Sequence, residues 1–434
     1  MSLQPKVACF LFQEINFDEL FGLFRASLIA IFLPTEQSNL YKMQGMQMYQ
    51  IAFDICNSWP DSHAEQMLQG LLDFLDETTF VIQNVRNMTV IQDIKKEPDI
   101  VCTYGKLWLN FRMASDFTNR VCDCLNRFTK QQLIHYKSHE AQRIAQMTVE
   151  GHAYLIWKRV ILLHFKEVHS DKLITQILDF LRHDRDGELR EKVFLKDSIQ
   201  SFIDLNVFES NPLQLYTEEF EIRFLQDTRE YYSRESGIKI KELDISDFMS
   251  TAMFRLEQEK IRMDRYCPQS CVKALQVFHE LYIANHREII EDNFNDMIHE
   301  ENIADCRMAH KLLLKLPNGT RNIVIVFEKY AAECVNLALM NISAEVSSGN
   351  QTIYLETLIK MQSNMTNISK SMFDNDPIFD AAIDKAFRLV INRPEITIAA
   401  ENFAKYCDYL LKKNIKSKID EEDIKEKVGK AVRL

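Results

Sequence analysis

Ten glycines and nine prolines in 434 residues leave this chain few places to turn. Together they fall well short of the roughly 12% that soluble domains carry. An all-β protein needs frequent turns, so that class is excluded and long helices joined by tight connections are expected. Basic charge is short too: 52 Lys and Arg stand against 63 Asp and Glu, a net charge of −11. A nucleic-acid footprint would be basic, and an anionic membrane surface would repel this chain. Long apolar runs are missing. The stretch 20–34 is shorter than the ~20 residues a bilayer requires, and Arg25 interrupts it. Glu14, Asp18 and Glu19 stand where a signal peptide would be basic. Neither nucleic acid nor membrane is therefore expected as a partner. The ten cysteines lie at scattered spacings, the pattern of reduced thiols used as small apolar residues, which points to the cytoplasm and nucleus.

What the chain does have is helical periodicity. Apolar residues recur at three- and four-residue steps almost throughout, without a run of strict alternation. Breaks fall at Pro34, at Trp59-Pro60-Asp61-Ser62, around Lys95–Pro98 and at Asp184-Arg185-Asp186-Gly187. Others fall at Asn211-Pro212, Ser236-Gly237, Cys267-Pro268, Pro317-Asn318-Gly319, Ser348-Gly349-Asn350 and Arg393-Pro394. About fourteen or fifteen helices are predicted between them. The length suffices for two or three cooperative units, and no low-complexity linker separates them, as in a solenoid whose units touch only their neighbours.

Candidate chemistry is sparse. Asp73, Asp76 and Glu77 share one helix face, as in enzymes that hold Mg²⁺ on a diphosphate; Asn295-Asp296 with Glu300 and Glu301 is the loose candidate for a second cluster. A solvated acidic face is the better account of them. His135 and His139 have the i, i+4 spacing of a metal pair, but the other ligands a zinc site needs are not evident. Cys122-x-Cys124 and Cys267-x₃-Cys271, the latter followed by His279, lack a matching second half. No nucleophile elbow or glycine-rich phosphate loop is present. Catalysis, cofactors and metals are therefore not expected.

The stretch KMQGMQMYQIAFDICNSW, residues 42–59, is different. Met43, Met46, Tyr49, Phe53 and Cys56 fall on one helical stripe, and Met48, Ala52 and Ile55 widen it to most of the circumference. Such a helix is either deeply buried or packs inward with one face and offers the other to a partner. Methionines suit an adaptable binding surface, although spacing alone favours core.

Four collinear stretches then resemble cullins. FLQDTREYYSRES, 224–236, is similar to the family's second-repeat helix. LWLNFRMASDFTNRVCDCLNR, 107–127, resembles the fifth helix of the first repeat through Trp108, Arg112, Ser115, Asn119, Cys122, Leu125, Asn126 and Arg127. FDNDPIFDAAIDKAFRLVINR, 373–393, resembles the third-repeat signature, and AKYCDYLLKK, 404–413, the segment that closes the family's N-terminal region.

The resemblance implies an all-α fold, an elongated solenoid of three stacked five-helix repeats at 1–150, 151–272 and 273–413, with 414–434 beginning a further region. It implies a non-catalytic scaffold of a ubiquitin ligase. The aromatics of 220–236 would be core, and Asp227, Arg229 and Glu230 a solvated face. In the family the second and fifth helices of the first repeat hold the substrate-receptor adaptor. Carried onto this chain, those positions are Met46, Tyr49, Ala52 and Phe53, then Asp116, Asn119, Arg120 and Asp123. Residues 112–127 and 224–236 look most like the first class, which takes a Skp-type adaptor with an F-box receptor. The opening MSLQPKV looks instead like the class that takes elongin B/C with its receptor. Phe128-Thr129 and Gly45 depart from the first-class pattern, and a glycine inside a helix costs about 1 kcal/mol against alanine. The RING subunit is expected to bind through a C-terminal region beyond Leu434. A helical rod of a tethering complex is the alternative outside the family.

Overall fold

The computed structural model describes residues 15–34, 43–83, 99–131, 147–169, 171–188, 194–347, 352–392, 404–409 and 429. The predicted breaks at 95–98, 348–350 and 393–394, the His135/His139 pair, the opening MSLQPKV and nearly all of 410–434 lie outside the described residues. Among these residues the secondary structure is helical, with sixteen helices of eight residues or more and no strand. They form two compact units, 1–227 with 262–271, and 228–261 with 272–434.

The first unit begins with α1 (Phe17–Phe32), α2 (Gly45–Cys56), α3 (Ala64–Val81), α4 (Ile100–Val121), α5 (Asp123–Gln131) and α6 (Val149–Trp157). Next come α7 (Lys172–Arg185) and α8 (Leu195–Asp204). Polar residues start these helices where the sequence supplies them. Asp99 accepts the Cys102 N–H at 2.9 Å to open α4, and Thr148 accepts the Gly151 N–H at 3.3 Å to open α6. The core is aromatic. Trp108 and Trp157 are fully buried, with Phe111 4.6 Å from Trp157 and Tyr154 5.1 Å from Trp108 between ring centroids. Such rings each bury large areas and favour tilted contacts, which fixes α4 against α6. Gly105 of α4 permits close approach to α8, because a Cβ there would lie 2.4 Å from the Phe194 carbonyl oxygen.

The stretch 220–236 belongs to α9 (Ile222–Glu242) and the turns that lead into it. Phe220, Phe224, Tyr231 and Tyr232 are all buried, as their helical spacing predicts. Asp227 is not on a solvated face. It is 4% exposed and pairs with Arg182 and, at 3.4 Å, with the fully buried Arg185 of α7. The Arg185 guanidinium also lies 5.6 Å from the Phe224 ring centre. Arg262 of α10 (Ile245–Tyr266) bonds Asp184 at 2.5 Å, so a charged network ties α7 to two other helices. Arg229 is half-exposed and paired with Glu280 at 2.9 Å, while Glu230 is exposed. The break expected at Ser236-Gly237 does not occur. α9 runs through it, since an isolated glycine costs a helix only about 1 kcal/mol and the residues before it on α9, Tyr231, Tyr232 and Ser236, are buried.

The second unit takes in most of α10 and then α11 (Cys271–Phe278), α12 (Arg287–His299), α13 (Ile303–Leu313), α14 (Arg321–Ser347), α15 (Thr352–Phe373) and α16 (Pro377–Ile391). FDNDP makes the α15–α16 corner. Asp374 and Asn375 take φ of 52° and 62°, a region these short polar residues tolerate, and Asp376 accepts the Ile378 N–H. Phe373 and Phe379 then stack at 3.7 Å, and buried His310 meets both rings and Asp376.

Burial holds three histidines below their ordinary pKa: His152, His279 (with Lys315 adding to the effect) and His286. Each therefore binds a proton more weakly folded than unfolded, and the unfolded chain holds the extra protons below about pH 6.5. His299 runs the other way, raised by the Asn295 carbonyl and Glu333, but it is solvent-exposed and screened. Thermal melts at stepped pH are expected to show the midpoint falling as the pH drops from 7 to 5.5. A midpoint that held or rose over that interval would reverse the assignment.

Candidate protein-interaction face

α2 opens with Gln44 as its cap, whose N–H is accepted by the Gln47 side chain at 3.0 Å. Gly45 is the first helical residue, outside the interior where glycine is most costly. A Cβ at Gly45 would stand 3.3 Å from the Phe117 ring of α4, so the absent side chain leaves room for that ring. At the other end Cys56 meets Cys124 of α5, with the sulfurs 3.5 Å apart. α2 is thus held at both ends against the α4–α5 junction.

That contact decides which of its two apolar faces turns inward. Met48, Ile51, Ala52, Ile55 and Cys56 are buried, whereas Met46 is 76% exposed and Phe53 37%. Tyr49 is half-buried, with its ring stacked 6.4 Å from that of Phe53. Met46, Tyr49 and Phe53 therefore form an outward stripe. Ala52 is corrected: it is wholly buried in this chain's own core, and its methyl cannot reach a partner.

On α4 and α5 the expected residues divide again. Asp116 pairs with Arg120 across one helical turn, and Asp123 with Arg127 likewise, all four at least partly exposed. Asn119 serves the fold as well, since its side-chain oxygen accepts from Asn126 at 2.9 Å and Asn126 in turn accepts the Val149 N–H. This explains why Trp108, Ser115, Cys122, Leu125 and Asn126 recur in the resemblance: all five are buried. Two residues were missed by the sequence reading. Met113 is 62% exposed, and Phe117 is half-buried against Gly45. Their spacing from Asp116 and Arg120, all within two helical turns on one face, could have indicated them.

The carboxylate cluster is engaged differently. Asp76 pairs with Arg159, Glu77 with Arg25 at 2.5 Å, and Asp73 accepts from Gln69 at 2.8 Å. Asp73 and Asp76 line an open groove of about 570 Å³ with Lys158 and Arg159. Residues 295–301 belong to the other compact unit. Among the described residues no group of three or more His, Cys, Asp or Glu could hold a metal ion, and no helix is long and apolar enough to cross a membrane.

The family described as the cullin alpha solenoid domain matches residues 23–434. The chain belongs to the cullin family. Cullin-1 of Dictyostelium discoideum is 26% identical over 349 residues, covering 77% of this chain and 44% of that protein. Cullin-5 of the same organism is 23% identical over 436 residues, covering 97% of this chain and 55% of its own length. Cullin-2 of Caenorhabditis elegans is 25% identical over 460 residues, covering 99% and 55%. The chain thus spans about half the length of the curated relatives it matches. At these identities it fits a divergent cullin, with the all-α solenoid fold that the resemblance implies.

Proposed function

We propose that this chain is the adaptor-binding part of a cullin-RING ubiquitin ligase scaffold, and that α2 and α4 form the adaptor face. The observation that carries this reading is the outward stripe Met46–Tyr49–Phe53 beside Phe117, in a chain that matches the cullin family from residue 23 onward. A helix with a filled inner face and an apolar outer one is suited to a partner's groove. Asp116–Arg120 and Asp123–Arg127 supply the charged rim that sets register rather than affinity.

The contribution to ubiquitin transfer is positional and not catalytic. Repeats at 1–150, 151–272 and 273–413 would hold a substrate receptor at a set distance from a RING subunit and its ubiquitin-charged enzyme. A fixed separation raises the effective concentration of substrate lysine near the thioester. The scaffold would act in the cytoplasm and nucleus.

The adaptor is assigned as Skp-type with an F-box receptor, on the likeness of residues 112–127 and 224–236 to the first class. Elongin B/C with its receptor is the second reading, favoured by near-complete coverage of this chain by a Cullin-2. Size-exclusion chromatography of the chain mixed separately with each adaptor is the test. Co-elution with the Skp-type adaptor alone is expected. Co-elution with elongin B/C alone would move the chain to the second class, and co-elution with neither would withdraw the adaptor role.

A further inference from the structure

Two thiols meet where α2 ends and α5 begins. Cys56 is the last residue of α2 and Cys124 the second of α5, with Sγ atoms 3.5 Å apart, within reach of a thiol hydrogen bond. Cys124 is half-buried and open to a small solute, while Cys56 lies behind it at 8% exposure. A third thiol, Cys122, is wholly buried two residues away. Each member of the close pair sits in the terminal turn of its helix, where a side chain can move without opening a helix interior. The sulfurs need to close to about 2 Å to bond.

We infer that Cys56 and Cys124 form a redox-sensitive dithiol that a peroxide converts reversibly into a disulfide joining α2 to α5. Electrostatics favour Cys124 as the attacking sulfur. The hydrogen bond with Cys56 lowers its pKa, and the N–H groups of Leu125 and Cys124 in the first turn of α5 add to this against burial and Asp123. The same hydrogen bond, with burial, raises the pKa of Cys56, which therefore keeps its proton. It serves as the resolving thiol because its sulfur already lies 3.5 Å from that of Cys124. Cys122 is wholly buried and raised by that burial, out of reach of a solute. The Cys124 thiolate attacks one peroxide oxygen, the O–O bond breaks, and the leaving hydroxide takes up a proton as water. Cys56 then attacks the resulting sulfenic sulfur. The S–O bond breaks, the S–S bond forms, and the hydroxyl leaves with the Cys56 proton as a second water. Two thiols lose two electrons and one peroxide gains them. The bridge ties the end of α2, whose outer face carries Tyr49 and Phe53, to the turn that carries Asp123.

The test is peptide mapping by mass spectrometry of the unmutated 434-residue chain, reduced and then exposed to a modest excess of hydrogen peroxide. The expected result is a linked Cys56–Cys124 peptide pair lighter by two hydrogens, which dithiothreitol releases. Cys56→Ala and Cys124→Ala should each abolish the linked pair, and Cys122→Ala should keep it. A bridge from Cys122, oxidation of Cys124 that stops at the sulfinic acid, or full retention of both thiols would each overturn the assignment. Because the linked peptide is read from the unmutated chain, the result does not depend on how well the variants fold or on whether an adaptor binds.

Discussion

Asp227→Ala is expected to cost about 3–5 kcal/mol of folding stability, read from urea denaturation followed by circular dichroism. The size follows from what the carboxylate leaves behind. Arg185 has no side-chain exposure, lies over the Phe224 ring and meets Asp227 at 3.4 Å. Without the carboxylate, a buried guanidinium loses a counter-charge that lies 3.4 Å away inside the first unit. A surface pair would matter far less, at most about 1 kcal/mol. The same physics predicts a rescue. A buried pair replaced at both ends by apolar groups is often near neutral, so Asp227→Ala with Arg185→Met should recover most of the loss. Should Asp227→Ala cost less than about 1 kcal/mol, water reaches the pair and the network is not buried in solution.

Asp227 also shows why the sequence could be read only so far. Scarce glycine and proline, with apolar steps of three and four, make the helical class legible, and the buried positions of Phe220, Phe224, Tyr231 and Tyr232 follow from spacing alone. Asp227 looks like part of the opposite, polar face because its partners are some forty residues away on α7. Pairing across that separation leaves no local trace. The same holds for Gly237, where a local rule predicts a break but packing around α9 carries the helix through.

The candidate face was legible to a similar depth. Two apolar sides on α2 mean that periodicity cannot choose which one turns inward. The choice is made by the neighbours, Phe117 closing on Gly45 and Cys124 on Cys56. Hence Met46, Tyr49 and Phe53 turn out exposed or half-exposed, Ala52 is buried, and Met113 and Phe117 lie on the same side of α4 without having been named. A resemblance transfers positions along a helix. Whether Ala52 faces solvent or the core depends on contacts that only the folded chain supplies, and they put it in the core.

If the outward stripe is the adaptor face, Tyr49→Ala should weaken adaptor binding by about 2 kcal/mol or more, roughly thirty-fold in Kd. Tyr49 suits that role because its ring is already held by stacking on Phe53, so less side-chain freedom is lost on binding than for the exposed Met46. Its half-exposed position also means that truncation removes little of the chain's own core, so the melting temperature should hardly move. Phe254 provides the comparison: it is 61% exposed on α10, in the other compact unit, and Phe254→Ala should leave the affinity unchanged. Isothermal titration of each variant with the adaptor that co-elutes separates the cases. A loss at Tyr49 alone places the interface on α2, because general unfolding would lower both the affinity and the melting temperature. Equal affinities for Tyr49→Ala and the unmutated chain would instead leave the stripe as exposed surface, and Met113 and Phe117 on α4 would become the residues to truncate.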